Sequence, residues 1–329
     1  MAVTSKHTEG SSPVRQSVWD RRLRLRVTLR AYLWLSPLIL CMLVILVYPL
    51  INGLLLSFTN ADQTNIAAHI GTISYQATYT FIGLENYITI VRNWFTPGSD
   101  ENHVLIQTGI WIVANSIFHF LFGLGLALIL NRKMRFRGLY RTLLMVPWAM
   151  PQFVAAFAWK FLYNQQGGYI DTFLEALHLP TINWGSDPAW AFVAVIIVNI
   201  WLGIPFMTVT LLGGLQSISA ELYEAANMDG ASHWQRFRYI TLPMLRPIAF
   251  LVTLLDVIWT FNVFSVIFLI TSGGPFHRSD TIFTFAWEEA FQVPQRYGLG
   301  GAYGIIILLI LLVFTVFYSR MLRANQTVY

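Results

Sequence analysis

The sequence predicts an all-α, polytopic membrane protein with six transmembrane helices, and three observations carry that prediction. The 329 residues are 56% hydrophobic and only 11% charged, with a mean hydropathy of +0.56, whereas soluble domains carry about 25% charged residues. A chain this apolar lacks the polar surface to cover itself in water. Six stretches with few or no charges are each long enough for the roughly 20 apolar residues that cross a bilayer. Finally, the basic residues gather in alternate connections, the pattern that fixes membrane orientation.

The first span is placed at about 33–57, inside Ala31 to Ala61, and the second at about 104–130, inside Asn102 to Asn131. The third, about 139–163, is the weakest, because Pro147 and Pro151 interrupt it and Lys160 lies near its end. The fourth is expected at 190–215, the fifth at 247–271 with one acid, Asp256, and the sixth, uninterrupted, at 299–319. Prolines inside spans are tolerated because neighbouring helices satisfy the freed carbonyls.

With the N-terminus in the cytoplasm, the inside segments 1–30, 131–141, 217–246 and 320–329 carry seven, five, three and two basic residues of the 21 in the chain. Arg92, Lys160, Arg278 and Arg296 fall on or near the other side. Both termini are therefore expected in the cytoplasm. The net charge of +5 belongs to this topology and to anionic membrane lipid, not to nucleic acid. The stretch Asp20 to Arg30, DRRLRLRVTLR, reads as a topology signal or a basic helix on the inner leaflet. About 30 polar and basic residues before the first apolar run make that run an uncleaved anchor. One cysteine, Cys41, excludes an internal disulfide and a thiolate metal cluster. With no internal repeat, the chain divides into a basic segment, 1–30, and one membrane domain, 31–329.

The inside segment 217–246 is too long and too patterned for a plain connection. Ser219 can cap a helix whose first turn carries Glu221. Asp229-Gly230 breaks that helix, glycine supplying the backbone freedom of a sharp turn. A second helix starts near Ser232 and carries Trp234, Phe237 and Ile240 at helical spacing. Leu242-Pro243 is expected to end it, with Pro247 opening span five. A small-residue helix beside one glutamate suits either a docking knob or a structured loop on the membrane.

The motif Glu224-Ala225-Ala226, then Asp229-Gly230, then Ile240 to Pro243 resembles the EAA signature of permease subunits of bacterial binding-protein-dependent ABC importers. The resemblance runs from span one to the C-terminus and is nearest the sugar branch, the larger maltose-type subunit. It implies the type I importer permease fold in a bacterial inner membrane. It implies that Glu224, Ala225, Ala226, Asp229 and Gly230 belong to a coupling helix seated on a cytoplasmic ATPase. It also implies partners: a second homologous permease, two ATP-binding cassette subunits that bind ATP and Mg2+, and an extracytoplasmic solute-binding protein. No cofactor is expected in this chain. A P-loop needs a lysine after glycine, and Lys6, Lys133 and Lys160 all lack one.

In such relatives, segments like Val198 to Phe206, VNIWLGIPF, and Phe261 to Pro275, FNVFSVIFLITSGGP, line the sugar site. By position, Asn199, Leu202, Gly203 and Phe206 would face sugar from span four, and Asp256, Thr260 and Val263 from span five. Spacing agrees: Asn199, Gly203, Phe206 and Thr210 share one helical face, as do Thr253, Asp256, Thr260 and Val263. Asn262 points elsewhere and is assigned to a helix–helix contact. Phe206 stands where some relatives have tyrosine. The large insert that certain relatives carry between the third and fourth common spans is reduced here to about 25 residues. Asp256, the one acid deep in a span, is a candidate for function or a buried carboxyl that serves packing. His119 reads as a satisfied core histidine, and Trp148, Trp159 and Trp184 as interfacial belt residues. Gly123, Gly125 and Ala127 read as allowing close packing.

Two other classes fit less well. A secondary transporter relaying protons through Asp256 and His119 would be expected to show repeats and more intramembrane charge. A membrane enzyme would need a motif such as H-E-x-x-H or G-x-S-x-G, and neither occurs. The expected substrate is a neutral di- or oligosaccharide moved by alternating access. A polyol, an amino sugar or glycerol phosphate is the alternative.

Overall fold

The computed structural model of the chain describes residues 32–70, 73–165 and 167–326. The basic helix expected at Asp20 to Arg30 lies outside them. The chain divides into two compact units, Met1–Asn52 and Gly53–Tyr329. The first contains most of helix α1 (Tyr32–Leu56), in which Leu43–Val47 forms a single wide π turn.

The second unit holds the remaining elements. A two-stranded antiparallel ribbon, β1 (Ala68–Ile70) and β2 (Ile73–Tyr75), interrupts the otherwise helical chain. Helix α2 (Glu85–Trp94) follows, then α3 (Asp100–Asn131), whose first turn is capped by Ser99 and carries Asp100 and Glu101. Acids there complement the positive end of the helix dipole. Next come α4 (Arg137–Ala149), α5 (Gln152–Leu162), α6 (Tyr169–Ala176) and α7 (Pro188–Gln216). Asp187 caps α7 through Ala189 N and Trp190 N, with Pro188 in the first turn, where its missing N–H costs nothing. Helices α8 (Ala220–Met228), α9 (His233–Phe261), α10 (Ser265–Ile270), α11 (Ile282–Phe291) and α12 (Tyr297–Gln326) complete the unit.

Among the described residues, five helices, α1, α3, α7, α9 and α12, are long and apolar enough to cross a membrane, and the bent pair α4–α5 makes a sixth crossing if it counts as one span. The third span expected at 139–163 is thus not straight. It turns by 91° between Ala149 and Gln152, because Pro151 takes the cap position and holds Met150 in an extended conformation. Pro147, by contrast, is carried inside α4.

The fifth span also differs from expectation. Its helix does not begin after Leu242-Pro243: α9 starts at His233 and absorbs both prolines. A wide turn at Phe237–Thr241 accommodates the missing donor of Pro243. At its other end α9 stops at Phe261, ten residues before the expected 271, and α10 resumes at Ser265.

Three apolar clusters hold the unit together. One joins α3, α5, α7 and α10 through Trp111, Ala155, Ala156, Val198 and Ile267. A second joins α2, α3, α11 and α12 through Ile90, Phe285 and Tyr303. A third joins α3, α7 and α9 through Ala127, Met207, Leu211 and Val252. Trp184 is buried in the first cluster, its ring tilted against Tyr163 at 4.8 Å between centroids and its indole N–H donated to Asp171. It is not the belt residue the sequence suggested, whereas Trp148 is exposed. Gly123 does permit close approach, since a Cβ there would lie 2.8 Å from Met207 Cβ, but Gly125 faces open space.

Candidate functional site

The polar residues of the long helices converge on His119. Asn115 and His119 lie one turn apart on α3, and Asn199 and Gly203 one turn apart on α7, so both pairs face the α3–α7 seam. Asn199 donates to Asn115 Oδ1 at 2.9 Å, and Asn115 donates to Trp111 O at 2.8 Å. His119 Nε2 is 3.0 Å from Asn199 O, and Nδ1 is 2.8 Å from Asp256 Oδ1 on α9.

These contacts fix the proton count. A carbonyl only accepts, so Nε2 carries hydrogen. Nδ1 and Oδ1 then share one further proton, as imidazole with a carboxylic acid or imidazolium with a carboxylate. Either way the pair is neutral overall, which removes most of the cost of burying it. Gly203 makes the arrangement possible, since a Cβ there would overlap Nε2, Cε1 and Cδ2 of His119. Asp256 Oδ2 is buried and makes no hydrogen bond. An orphaned acceptor of that kind calls for a donor that the described residues do not supply.

The seven residues read as sugar-facing therefore separate. Asn199, Gly203 and Asp256 meet at His119. Leu202 and Val263 lie in the first apolar cluster, Val263 in the break after α9 rather than on a helical face. Thr260 is buried, and its carbonyl accepts from Trp111 Nε1 at 2.8 Å. Phe206 is half-buried and lies 4.7 Å, centroid to centroid, from the ring of Trp259. Asn262 makes no interhelical bond; its amide turns back onto Ile258 O at 2.7 Å. A groove of about 690 Å3 runs between α3, α9 and α12, lined by Ser116, Phe120, Arg246, Thr253 and Tyr318 among others. None of the seven lines it.

Sequence reasoning missed Trp259, whose spacing of three from Asp256 was the available signal. It also treated His119 as a separate core residue. His119 is satisfied and buried, but as the hub of the junction rather than apart from it.

The segment after α7 forms as its sequence dictates. Ser219 Oγ accepts from Glu221 N, and Ser232 with Gln235 forms a reciprocal capping box at the start of α9. Between them Gly230 sits at φ +76. Ala231 N bonds Ala226 O, and Gly230 N bonds Asn227 O, the paired closure that ends a helix through a left-handed residue. Tyr223 OH meets Thr241 Oγ1 at 2.9 Å, and Arg236 donates to Asn227 Oδ1, tying α8 to α9. No residue of α8 is buried. Glu224 and Ala225 face outward, and Met228 is 90% exposed.

A Cβ at Gly230 meets nothing within 4 Å, so Gly230→Val tests conformation alone. It should cost about 1–2 kcal/mol locally, speeding amide exchange across Ala220–Met228 by about 5–30-fold while global melting stays put. Unchanged exchange would show that the turn does not depend on glycine.

A family model described as "Binding-protein-dependent transport system inner membrane component" matches residues 119–326. The trehalose/maltose transport system permease protein MalF of Thermococcus litoralis is 31% identical over 93% of this chain and 97% of its own length. The diacetylchitobiose uptake system permease protein DasB of Streptomyces coelicolor is 30% identical over 91% of this chain and 88% of its own. In fold, the chain resembles a chain of a bacterial ABC transporter involved in the import of the acidic polysaccharide alginate. The TM-score is 0.77 at 24% identity, covering 92% of this chain and 99% of that one. Long apolar helices, an exposed capped helix closed by Gly230, and these likenesses together place the chain in the family of binding-protein-dependent transport system inner membrane components, as a multi-pass permease subunit of the ABC importer type and not an enzyme.

Proposed function

We propose that this permease carries a neutral di- or oligosaccharide from an external binding protein into the cytoplasm by alternating access. The relatives are named for trehalose and maltose, for diacetylchitobiose and for maltodextrin, and their whole length is shared with this chain or nearly so in the first two. In this reading both termini and the α8–α9 turn face the cytoplasm. A second, similar permease completes the pathway, and two partner ATPases bind ATP with its Mg2+.

The observation that carries the reading is α8: a capped, glycine-closed helix with no fully buried residue, only Tyr223 and Ala226 being half-buried in its own chain. Leu222 and Met228 stand exposed beside Glu221 and Glu224, an apolar surface with fixed negative charge, suited to a cleft on a partner. Sugar would be held where Asp256 Oδ2 lacks a donor, with Asn199 beside it and the Phe206–Trp259 pair offering ring faces to sugar C–H groups. Leu202, Gly203, Thr260 and Val263 complete the lining. Because Asn199, Leu202, Asp256, Thr260 and Val263 are buried, access would require the helices around them to move apart, which is the step ATP-driven closure would supply.

Glu224→Lys reverses one exposed charge without touching a buried contact. Membrane insertion should match wild type while ATPase retained on affinity purification falls about tenfold, equivalent to some 1.4 kcal/mol. Equal ATPase retention by both chains would remove α8 from the docking surface.

A further inference from the structure

The turn between α10 and α11 lies at the end of α3 opposite the α8–α9 segment. Gln107 donates to Arg278 O at 2.6 Å, and Ile282 N donates to Thr108 Oγ1 at 2.9 Å. Asn131 and Arg132, at the other end of α3, border Tyr223 and His233. About 24 residues of helix, roughly 36 Å, separate the two places.

In this turn His277 Nδ1 lies 3.0 Å from Asp280 Oδ2 and 3.3 Å from Glu288 Oε2. All three atoms fall within 4.8 Å of one another. We propose that His277, Asp280 and Glu288 form a binding site for a divalent transition cation, zinc by its ligand set, with a fourth position open to solvent.

The geometry fits. Zinc–nitrogen and zinc–oxygen bonds of about 2.0–2.2 Å in a tetrahedron set ligand atoms about 3.3–3.5 Å apart, close to the two separations observed. Imidazole with two carboxylates suits zinc better than calcium or magnesium, which favour all-oxygen shells. Charge fits as well. Two carboxylates and a neutral imidazole carry −2, which a divalent ion cancels and a single proton does not.

Supporting contacts hold the ligands in place. Asp280 is 2% exposed, and Thr284 donates to its other oxygen at 2.6 Å. Its carboxylate occupies the space that a side chain at Gly273 would fill. The His277 ring stands edge-on to Phe285 at 5.4 Å, and the left-handed backbone at Phe276 and His277 turns it toward the acids. Among the described residues, neither acid is paired with lysine or arginine. Arg278 turns away to His103. His277 and Glu288 remain partly exposed, leaving a route for the ion.

Zinc binding to the full chain in lipid nanodiscs tests this, with a chromophoric chelator as competitor. Wild type should take up one zinc more per chain than the His277→Gln/Glu288→Gln double variant, and each single variant should bind that zinc at least tenfold more weakly. Equal uptake by wild type and double variant overturns the proposal. Cobalt added to wild type alone provides a reading independent of any variant's folding. An intense four-coordinate visible spectrum at one equivalent supports the site, and a weak six-coordinate spectrum overturns it.

Discussion

Gly203→Ala is expected to lower the stability of the permease by about 3 kcal/mol. The added methyl group would occupy the His119 ring. Overpacking of a tight interior costs about 1–3 kcal/mol, and displacing the ring strands at least one buried polar group at about 1–3 kcal/mol more. Gly125→Ala is the matched control on α3, because its Cβ meets nothing within 4 Å and alanine favours a helix by about 1 kcal/mol. Thermal unfolding in nanodiscs should show a clear fall for the first and no fall for the second. Equal melting of both would mean that the His119 ring yields without cost.

Asp256 separates packing from transport. Asp256→Ala leaves His119 Nδ1 without a partner in a buried place, an expected loss of about 1–3 kcal/mol. Asp256→Asn keeps a neutral donor facing Nδ1, mimicking the protonated acid, and should stay within about 1 kcal/mol of wild type. Its amide oxygen can still accept from a sugar hydroxyl. Uptake by reconstituted transporter should therefore be reduced at least tenfold in Asp256→Ala and substantially preserved in Asp256→Asn. Wild-type uptake by the alanine variant would return Asp256 to a packing role alone.

The spans were legible because hydropathy measures composition over a window, and four of the six apolar runs became single long helices. The window carries no direction, so it could not show that Pro151 turns the third by 91°. Nor could it show that the fifth breaks at Asn262 to Phe264, since one asparagine barely lowers the average of a long window. The α8 caps were legible to the residue, because capping is local: Ser219, Gly230 and Ser232 each act on atoms a few positions away. The junction was only half legible. Asn199, Gly203 and Asp256 could be named from helical spacing and family resemblance. Their meeting at His119, 137 positions from Asp256, depends on how α3, α7 and α9 pack. Trp184 was misread for a similar reason: an aromatic near a span end looks the same whether it faces lipid or packs against Tyr163.

The uninterrupted course of α9 makes it a lever. From Arg236 to Asp256 the backbone is helical throughout, about 30 Å of rod. A tilt of about 5° at the end beside α8 would sweep Asp256 through roughly 2.6 Å over that length, nearly the whole of its 2.8 Å reach to His119. The break lies beyond Asp256, at Asn262, so from Leu242 the helix runs without a gap as far as the acid. In the proposed transport cycle, a small stroke at the α8 end would thereby suffice to open or close a bond deep within the helices.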